Sequence, residues 1–176
     1  MMEVRNGSLD TLGLLFERHQ AILYNYYVRL TRDRSLSEDL VQEVFLRILK
    51  YRHTFRGDGQ FTMWMYRIAR NVQIDYGTKW KHEMRLDEDQ HDRPDETPIP
   101  GGTMEQKDNI TILEQALSQL ADEKREIIIL SRYQGMKYTA IAELLGCSVE
   151  TVKVRVHRAV GDLRKLFYQI SGENES

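Results

Sequence analysis

The stretch YTAIAELLGCSVETVKVRVHRAVGDL, residues 138–163, joins a short apolar segment to a long amphipathic one through a glycine-containing turn. A short helix, a tight turn and a longer helix form the helix-turn-helix pattern. Ser148 follows the turn and predicts an N-cap for the second helix, because its hydroxyl can accept a hydrogen bond from an amide of the first turn. Asp122 and Thr139 are the N-caps predicted for the two preceding helices.

The second helix of this motif has two different faces. One face is apolar and is expected to pack against Ile141, Leu144 and Leu145; it carries Val152, Val156, Ala159, Val160, Leu163 and Leu166. Basic residues in the first turns lie where a recognition helix meets base edges, and an outward valine suits a thymine methyl. A surface helix with a solvated charged face explains the same pattern equally well. The outward face and its flanks carry Glu150, Thr151, Lys153, Val154, Arg155, His157 and Arg158.

All three prolines of the chain lie in residues 86–107, together with a Gly–Gly pair and an excess of acidic residues. Proline removes backbone donors, glycine loosens the chain and like charges repel, so this segment predicts a flexible linker. It separates residues 1–85 from residues 108–170, and residues 171–176 form a polar tail. Both lobes show helical periodicity without strand alternation. We therefore expect an all-α fold with two small helical domains.

The composition also limits the possible function classes. No apolar run approaches the ~20 residues of a membrane span, and the N-terminus lacks the apolar stretch of a signal peptide. The single cysteine, Cys147, allows no internal disulfide and is interpreted as a small packing residue. Metal-ligand spacing, a phosphate loop and a nucleophile–base motif are all missing. We expect a cytoplasmic protein with no membrane insertion, catalytic residue, metal or cofactor.

Two long stretches are similar to one protein family. Residues 37–75, SEDLVQEVFLRILKYRHTFRGDGQFTMWMYRIARNVQID, resemble region 2 of bacterial extracytoplasmic-function (ECF) sigma factors. Residues 117–165, LSQLADEKREIIILSRYQGMKYTAIAELLGCSVETVKVRVHRAVGDLRK, resemble their region 4. The resemblance implies that region 4 reads the −35 element of promoter DNA and touches the flap of core RNA polymerase. It also implies that region 2 docks on the polymerase clamp helices and reads and melts the −10 element. An anti-sigma factor is expected as a further partner.

Asp39, Gln42 and Glu43 are three and four residues apart, so they share one face of a predicted helix. The resemblance implies that these three contact the clamp helices. A solvated acidic face is the alternative interpretation.

The loop RGDGQF, residues 56–61, leads into the third long helix of the first lobe. The resemblance implies that this loop captures a flipped base, with Arg56, Asp58 and Gln60 as polar contacts and Phe61 as a stacking ring. Trp64 matches an aromatic position associated with strand separation, although a core anchor is an equal interpretation.

Further along the same helix, Asn71 and Asp75 lie one turn apart and are expected at the upstream edge of the −10 element. Arg70 and Lys79 are expected to bind phosphates, because residues 50–85 carry an excess of basic side chains.

The alternative function is a helix-turn-helix transcription regulator that is not a polymerase subunit. It would require a dimer interface or a ligand pocket, and the resemblance to region 2 argues against it. The chain departs from the common family pattern at Val154, where serine is frequent, and at His157. These two departures leave the preferred −35 sequence open.

Overall fold

The computed structural model describes residues 1–5, 9–57, 60–84 and 104–172. Every regular element within these ranges is helical, which confirms the predicted all-α class. The chain divides into two compact units. The first unit contains residues 1–27 and 33–94, and the second contains residues 28–32 and 95–176.

The first unit is built on three long helices and one short one. The short helix α1 covers Met2–Arg5, and the sequence patterns had not predicted it. The long helices are α2 (Leu9–Thr31), α3 (Arg34–Tyr51, continued by a 3₁₀ turn) and α4 (Phe61–Met84). Residues 28–31 of α2 belong to the second unit. Asp33 caps α3, since its carboxylate accepts from the amide of Leu36 at 2.9 Å.

The core of the first unit lies between α2, α3 and α4. Two tyrosines of α2 are fully buried there, and each places its hydroxyl against α4. Tyr27 donates to the carbonyl of Ala69 at 2.8 Å, and Tyr26 bonds the side chain of Gln73 at 3.2 Å. A buried phenol needs such a partner, since an unpaired hydroxyl in the core is costly. These two bonds hold α4 in one register against α2.

The second unit contains α5 (Met104–Gln119), α6 (Asp122–Ile128), α7 (Tyr138–Leu145) and α8 (Val149–Ser171). A π-helical turn over Ile129–Tyr133 continues α6. Helices α5, α6 and α7 all pack on α8. Arg125 of α6 closes the end of α5 by donating to three carbonyls, those of Leu117, Ser118 and Leu120. The terminal carbonyls of a helix have no partner within it, and the guanidinium provides one.

Two predicted helix starts are wrong by one or two residues. Ala121, not Asp122, is the N-cap of α6, and Lys137, not Thr139, is the N-cap of α7. Neither cap makes a side-chain hydrogen bond. In both cases a residue with extended backbone lies before the expected one, so the helix begins earlier. Asp122 lies in the first turn, where its charge still favours the positive end of the helix dipole.

Most of the predicted linker, residues 86–103, lies outside the residues that the structure describes. Its last four residues, 104–107, form the start of α5. The polar tail from residue 173 onward is likewise outside the described ranges.

Candidate nucleic-acid and polymerase interfaces

The turn before α8 is closed by local backbone and side-chain chemistry. Gly146 ends α7 with a φ of +65°, a left-handed conformation that glycine adopts without steric cost. Ser148 then caps α8, as predicted, by accepting from the amide of Thr151 at 3.1 Å. The hydroxyl of Thr151 lies 2.9 Å from that of Ser148 and is therefore part of the cap. The turn sets the direction in which α8 leaves the core.

The predicted apolar face of α8 is buried at Val152, Val156 and Ala159, as are Ile141 and Leu144 of α7. The other members predicted for this contact are half-buried: Leu145, Val160, Leu163 and Leu166. The predicted recognition residues are exposed except for the half-buried Thr151; the exposed ones are Glu150, Lys153, Val154, Arg155, His157 and Arg158.

The cations of this α8 face are unengaged. Among the residues that the structure describes, nothing forms an ion pair or side-chain hydrogen bond with Lys153, Arg155 or Arg158. Val154 is 48% exposed in their midst, where it gains no burial from the fold itself. This face is available for a ligand with negative charge and apolar groups, which are the features of a DNA groove.

Helix α3 presents the predicted docking residues on the side opposite its core face. Asp39 and Gln42 are exposed and Glu43 is half-buried. Leu46, one turn further along, is 62% exposed and extends the same face with an apolar side chain. Sequence reasoning did not single out Leu46, although its spacing of three from Glu43 was available as a signal.

A guanidinium joins this docking face to helix α4. Arg47 places its Nε 2.7 Å from Oε1 of Glu43 and its Nη1 2.6 Å from Oδ2 of Asp75. The hydrogen bonds that Arg47 donates to Glu43 and then to Asp75 raise the pKa of Arg47 above its usual value. Asp75 is one of the residues predicted at the −10 element, so two predicted interfaces share one cation. The sequence reveals only the i, i+4 half of this bridge.

The loop before α4 is supported by the N-terminal helix. Gly57 has a φ of +82°, and a methyl group on its Cα would lie 2.8 Å from the sulfur of Met2. Arg5 donates to the carbonyl of Phe55 at 3.1 Å. Arg56 and Gln60 on either side of the loop are exposed. Asp58, also predicted at this site, lies outside the described residues.

The predicted stacking and melting residues lie in a cluster of rings. Trp64 has its ring centroid 5.4 Å from that of Phe55 and 6.2 Å from that of Phe61. Phe61 also meets the buried His19 edge-on at 5.2 Å. Both Phe61 and Trp64 are half-buried. Met65, next to Trp64 in the chain, is fully buried. The cluster favours a structural role for Trp64, while its part in strand separation stays a prediction.

The exposed face of α4 continues beyond this cluster. Asn71 and Asp75 are exposed, Arg70 is half-buried, and Ile74 between them is 47% exposed. Lys79 lies in the helix, but its side chain is outside the described part of the structure. The face combines amide, carboxylate and apolar groups within two turns.

Comparison with known proteins assigns both units to one family. The family model described as Sigma-70 region 2 matches residues 15–83, and the model described as Sigma-70, region 4 matches residues 110–163. The ECF RNA polymerase sigma factor SigX of Bacillus subtilis is 32% identical over 161 residues, which cover 89% of this chain and 83% of SigX. The chain belongs to the ECF RNA polymerase sigma factors.

Other relatives agree with this family. The RNA polymerase sigma factor CarQ of Myxococcus xanthus is 28% identical to this sigma factor over 176 residues, or 98% of each chain. Among solved structures, the sigma factor RpoE of Bartonella quintana, in complex with the anti-sigma factor NepR, gives a TM-score of 0.78 at 23% identity. That match covers 90% of this chain and 97% of RpoE. CnrH, in complex with the cytosolic domain of CnrY, gives a TM-score of 0.69 at 24% identity, covering 94% of this chain and 92% of CnrH.

The sigma factor is thus a protein that directs RNA polymerase. The match over residues 15–83 argues against the alternative of a regulator that acts without being a polymerase subunit. Within the described ranges, no group of three or more His, Cys, Asp or Glu side chains is placed to hold a metal ion. No described helix is long and apolar enough to cross a membrane. Cys147 is half-buried in the helix-turn-helix turn.

Proposed function

We propose that helix α8 of this sigma factor reads the −35 element. The observation that supports this best is the exposed face of α8, whose cations have no partner among the described residues. Arg158 lies on the outward side, where a guanidinium can bond a guanine edge bidentately. Lys153 lies on a flank, where an ammonium suits phosphate. Glu150, Arg155 and His157 complete the polar surface, and Val154 offers an apolar contact. Thr151 contributes to the N-cap of α8, because its amide and hydroxyl both contact the hydroxyl of Ser148, and it does not offer a free hydroxyl to DNA.

The −10 element is assigned to the first unit. Arg56, Asp58 and Gln60 belong by sequence to the loop before α4, and Asn71 and Asp75 lie on the exposed face of that helix. Phe61 and Trp64 come between these two groups along the chain, and a base leaving the duplex would stack against their rings. Arg70 and Lys79 provide charge for phosphates. In this assignment the ring cluster holds the loop in place, and only its outer edges meet DNA.

Core polymerase is assigned to the α3 face. Asp39, Gln42 and Glu43 offer acidic and amide groups to a basic surface, which the clamp helices supply in this family. Leu46 adds an apolar contact at the end of the row. A mixed patch of this kind is typical of interfaces, where an apolar residue anchors contacts that charges orient.

Several broader assignments accompany these. We propose that an anti-sigma factor binds this sigma factor, as the complex of RpoE with the anti-sigma factor NepR suggests. The flap of core polymerase is expected to contact the second unit. The protein works in the cytoplasm, where polymerase and promoters are found, and it catalyses no reaction of its own.

The test is transcription in vitro with core polymerase from the source bacterium. A promoter library varied across the −35 element is transcribed with the wild type and with Arg158→Ala. Arg164→Ala is the matched control, because Arg164 is exposed on the same helix beyond the proposed contact region. We expect sequence-specific initiation that requires the sigma factor, and a changed preference at one base pair for Arg158→Ala only. Tight specific binding to promoters without polymerase would instead indicate an ordinary regulator.

A further inference from the structure

Arg47 of the first unit belongs to neither of the two predicted interfaces, the polymerase-docking face of α3 and the −10 face of α4. Its guanidinium lies between α3 and α4 and contacts one carboxylate on each helix, at 2.7 Å and 2.6 Å. The side chain of Arg47 is 27% exposed, whereas those of Glu43 and Asp75 are 43% and 59% exposed. The cation is therefore sheltered, and the two anions are accessible to other partners.

The two carboxylates serve different ligands under the proposed function. Glu43 is part of the polymerase-docking face, and Asp75 is part of the −10 face. We propose that Arg47 is a positioning residue that couples the docking of polymerase at Glu43 to the recognition of promoter DNA at Asp75. This inference rests on the proposed function for both carboxylates.

The coupling follows from competition for one cation. A basic group of polymerase that reaches Glu43 takes over part of its hydrogen bonding to Arg47. The guanidinium then donates more fully to Asp75, fixes that carboxylate and neutralises it. An unneutralised carboxylate beside the phosphate backbone would repel DNA, so docking favours promoter binding. By linkage, DNA at Asp75 favours docking to the same extent.

The size of the effect is limited by the strength of the two ion pairs. Both are partly exposed, and pairs of this kind change an equilibrium by about two- to fivefold. We therefore expect a modest coupling that adjusts promoter binding rather than an all-or-none switch.

The test is a double-mutant cycle on the holoenzyme. Wild type, Glu43→Gln, Asp75→Asn and the double variant are bound to excess core polymerase, so that each is fully assembled. Binding is then measured to a fluorescent promoter fragment that contains the −10 element and lacks the −35 element. We expect the fragment affinity of the double variant to differ about two- to fivefold from the value that independent effects of the two single variants would give. The same cycle in an Arg47→Gln background should be additive, and Arg47→Lys should restore part of the deviation.

Controls separate coupling from general effects. Lys124→Gln breaks another partly exposed ion pair, with Asp162 at 2.5 Å in the second unit, and should leave the deviation unchanged. If Arg47→Gln does not fold, the cycle of Glu43→Gln and Asp75→Asn with Arg47 intact still tests the coupling.

The outcomes also distinguish this inference from the proposed function. Core affinity of Glu43→Gln and fragment affinity of Asp75→Asn are measured singly. If each variant changes the affinity for its own ligand but the effects are additive with Arg47 present, the coupling is wrong and the interfaces stand. If neither variant affects its ligand, the interface assignments are wrong, and the coupling fails with them.

Discussion

The α8 face of the second unit and the −10 face of the first unit are both proposed to bind DNA, but they are built differently. The cations of α8 extend from its exposed face, whereas the packing of its buried apolar face stabilises the helix. In the first unit, Trp64 and Phe61 pack against other rings, and Asp75 is held by Arg47. Substitutions of the exposed α8 cations should therefore report DNA contacts alone. Substitutions at the −10 face should mix DNA binding with stability.

The largest effect is expected where the first unit relies on the ring cluster. Trp64→Ala removes a half-buried indole that contacts Phe55 and Phe61, and should lower the free energy of unfolding by about 3 kcal/mol. Urea denaturation followed by circular dichroism measures this, with Trp64→Phe as the milder control. A stability within about 0.5 kcal/mol of the wild type would show that Trp64 is a free surface wedge, and the contrast with α8 would disappear.

Substitutions on the docking face of α3 should affect binding and not stability, as on α8, although this face lies in the first unit. Asp39→Arg replaces an exposed acid by a base, so repulsion from a basic partner should weaken core polymerase binding about tenfold or more. Fluorescence titration with core polymerase measures this affinity. Glu17→Arg is the matched control, because Glu17 is an exposed acid of the same unit on helix α2, where no contact is proposed. Equal losses for the two variants would indicate a general charge effect and not a docking face.

Two α8 variants should affect DNA binding without affecting stability. Arg158→Ala should lose about 1–3 kcal/mol of binding free energy and relax preference at one −35 base pair. Lys153→Ala should weaken binding to all promoters alike. It should also reduce the slope of log affinity against log salt concentration by about one. Both should unfold like the wild type. Holoenzyme binding to the −35 library at several salt concentrations measures each effect, and identical shifts for every sequence with both variants would contradict base reading by α8.

The smallest effect tests the loop before α4. Gly57→Ala places a methyl group in the left-handed region and close to Met2, so stability should fall by about 1–2 kcal/mol. Adding Met2→Ala to Gly57→Ala removes the close contact with the new methyl group but not the backbone strain. It should therefore recover only part of the lost stability. Thermal unfolding of the wild type and these two variants measures this. Full recovery would mean that crowding, and not the backbone, requires glycine at this position.

Local periodicity was sufficient to predict much of this protein. The four-residue spacing of Leu40, Val44 and Ile48 predicts α3 and its buried face, because a helix turns once in about 3.6 residues. The cap at Ser148 and the exposed side of α8 follow from chemistry within a few residues. Asp39 and Gln42 were placed on an exposed face for the same reason. The caps at Asp122 and Thr139 were predicted wrongly, since side-chain preference alone does not decide which residue has extended backbone.

Contacts between residues far apart in the chain required the tertiary structure. Asp75 is 28 residues from Arg47, and nothing in local spacing brings them together. The packing of α1 against the loop at Gly57 and the meeting of His19 with Phe61 depend on how α2, α3 and α4 share one core. Which side of each helix is apolar can be predicted from the residues alone, because it follows from the helical period. Which charged and aromatic side chains come within hydrogen-bonding or ring-contact distance depends on how the helices pack, because that packing joins residues far apart in the chain.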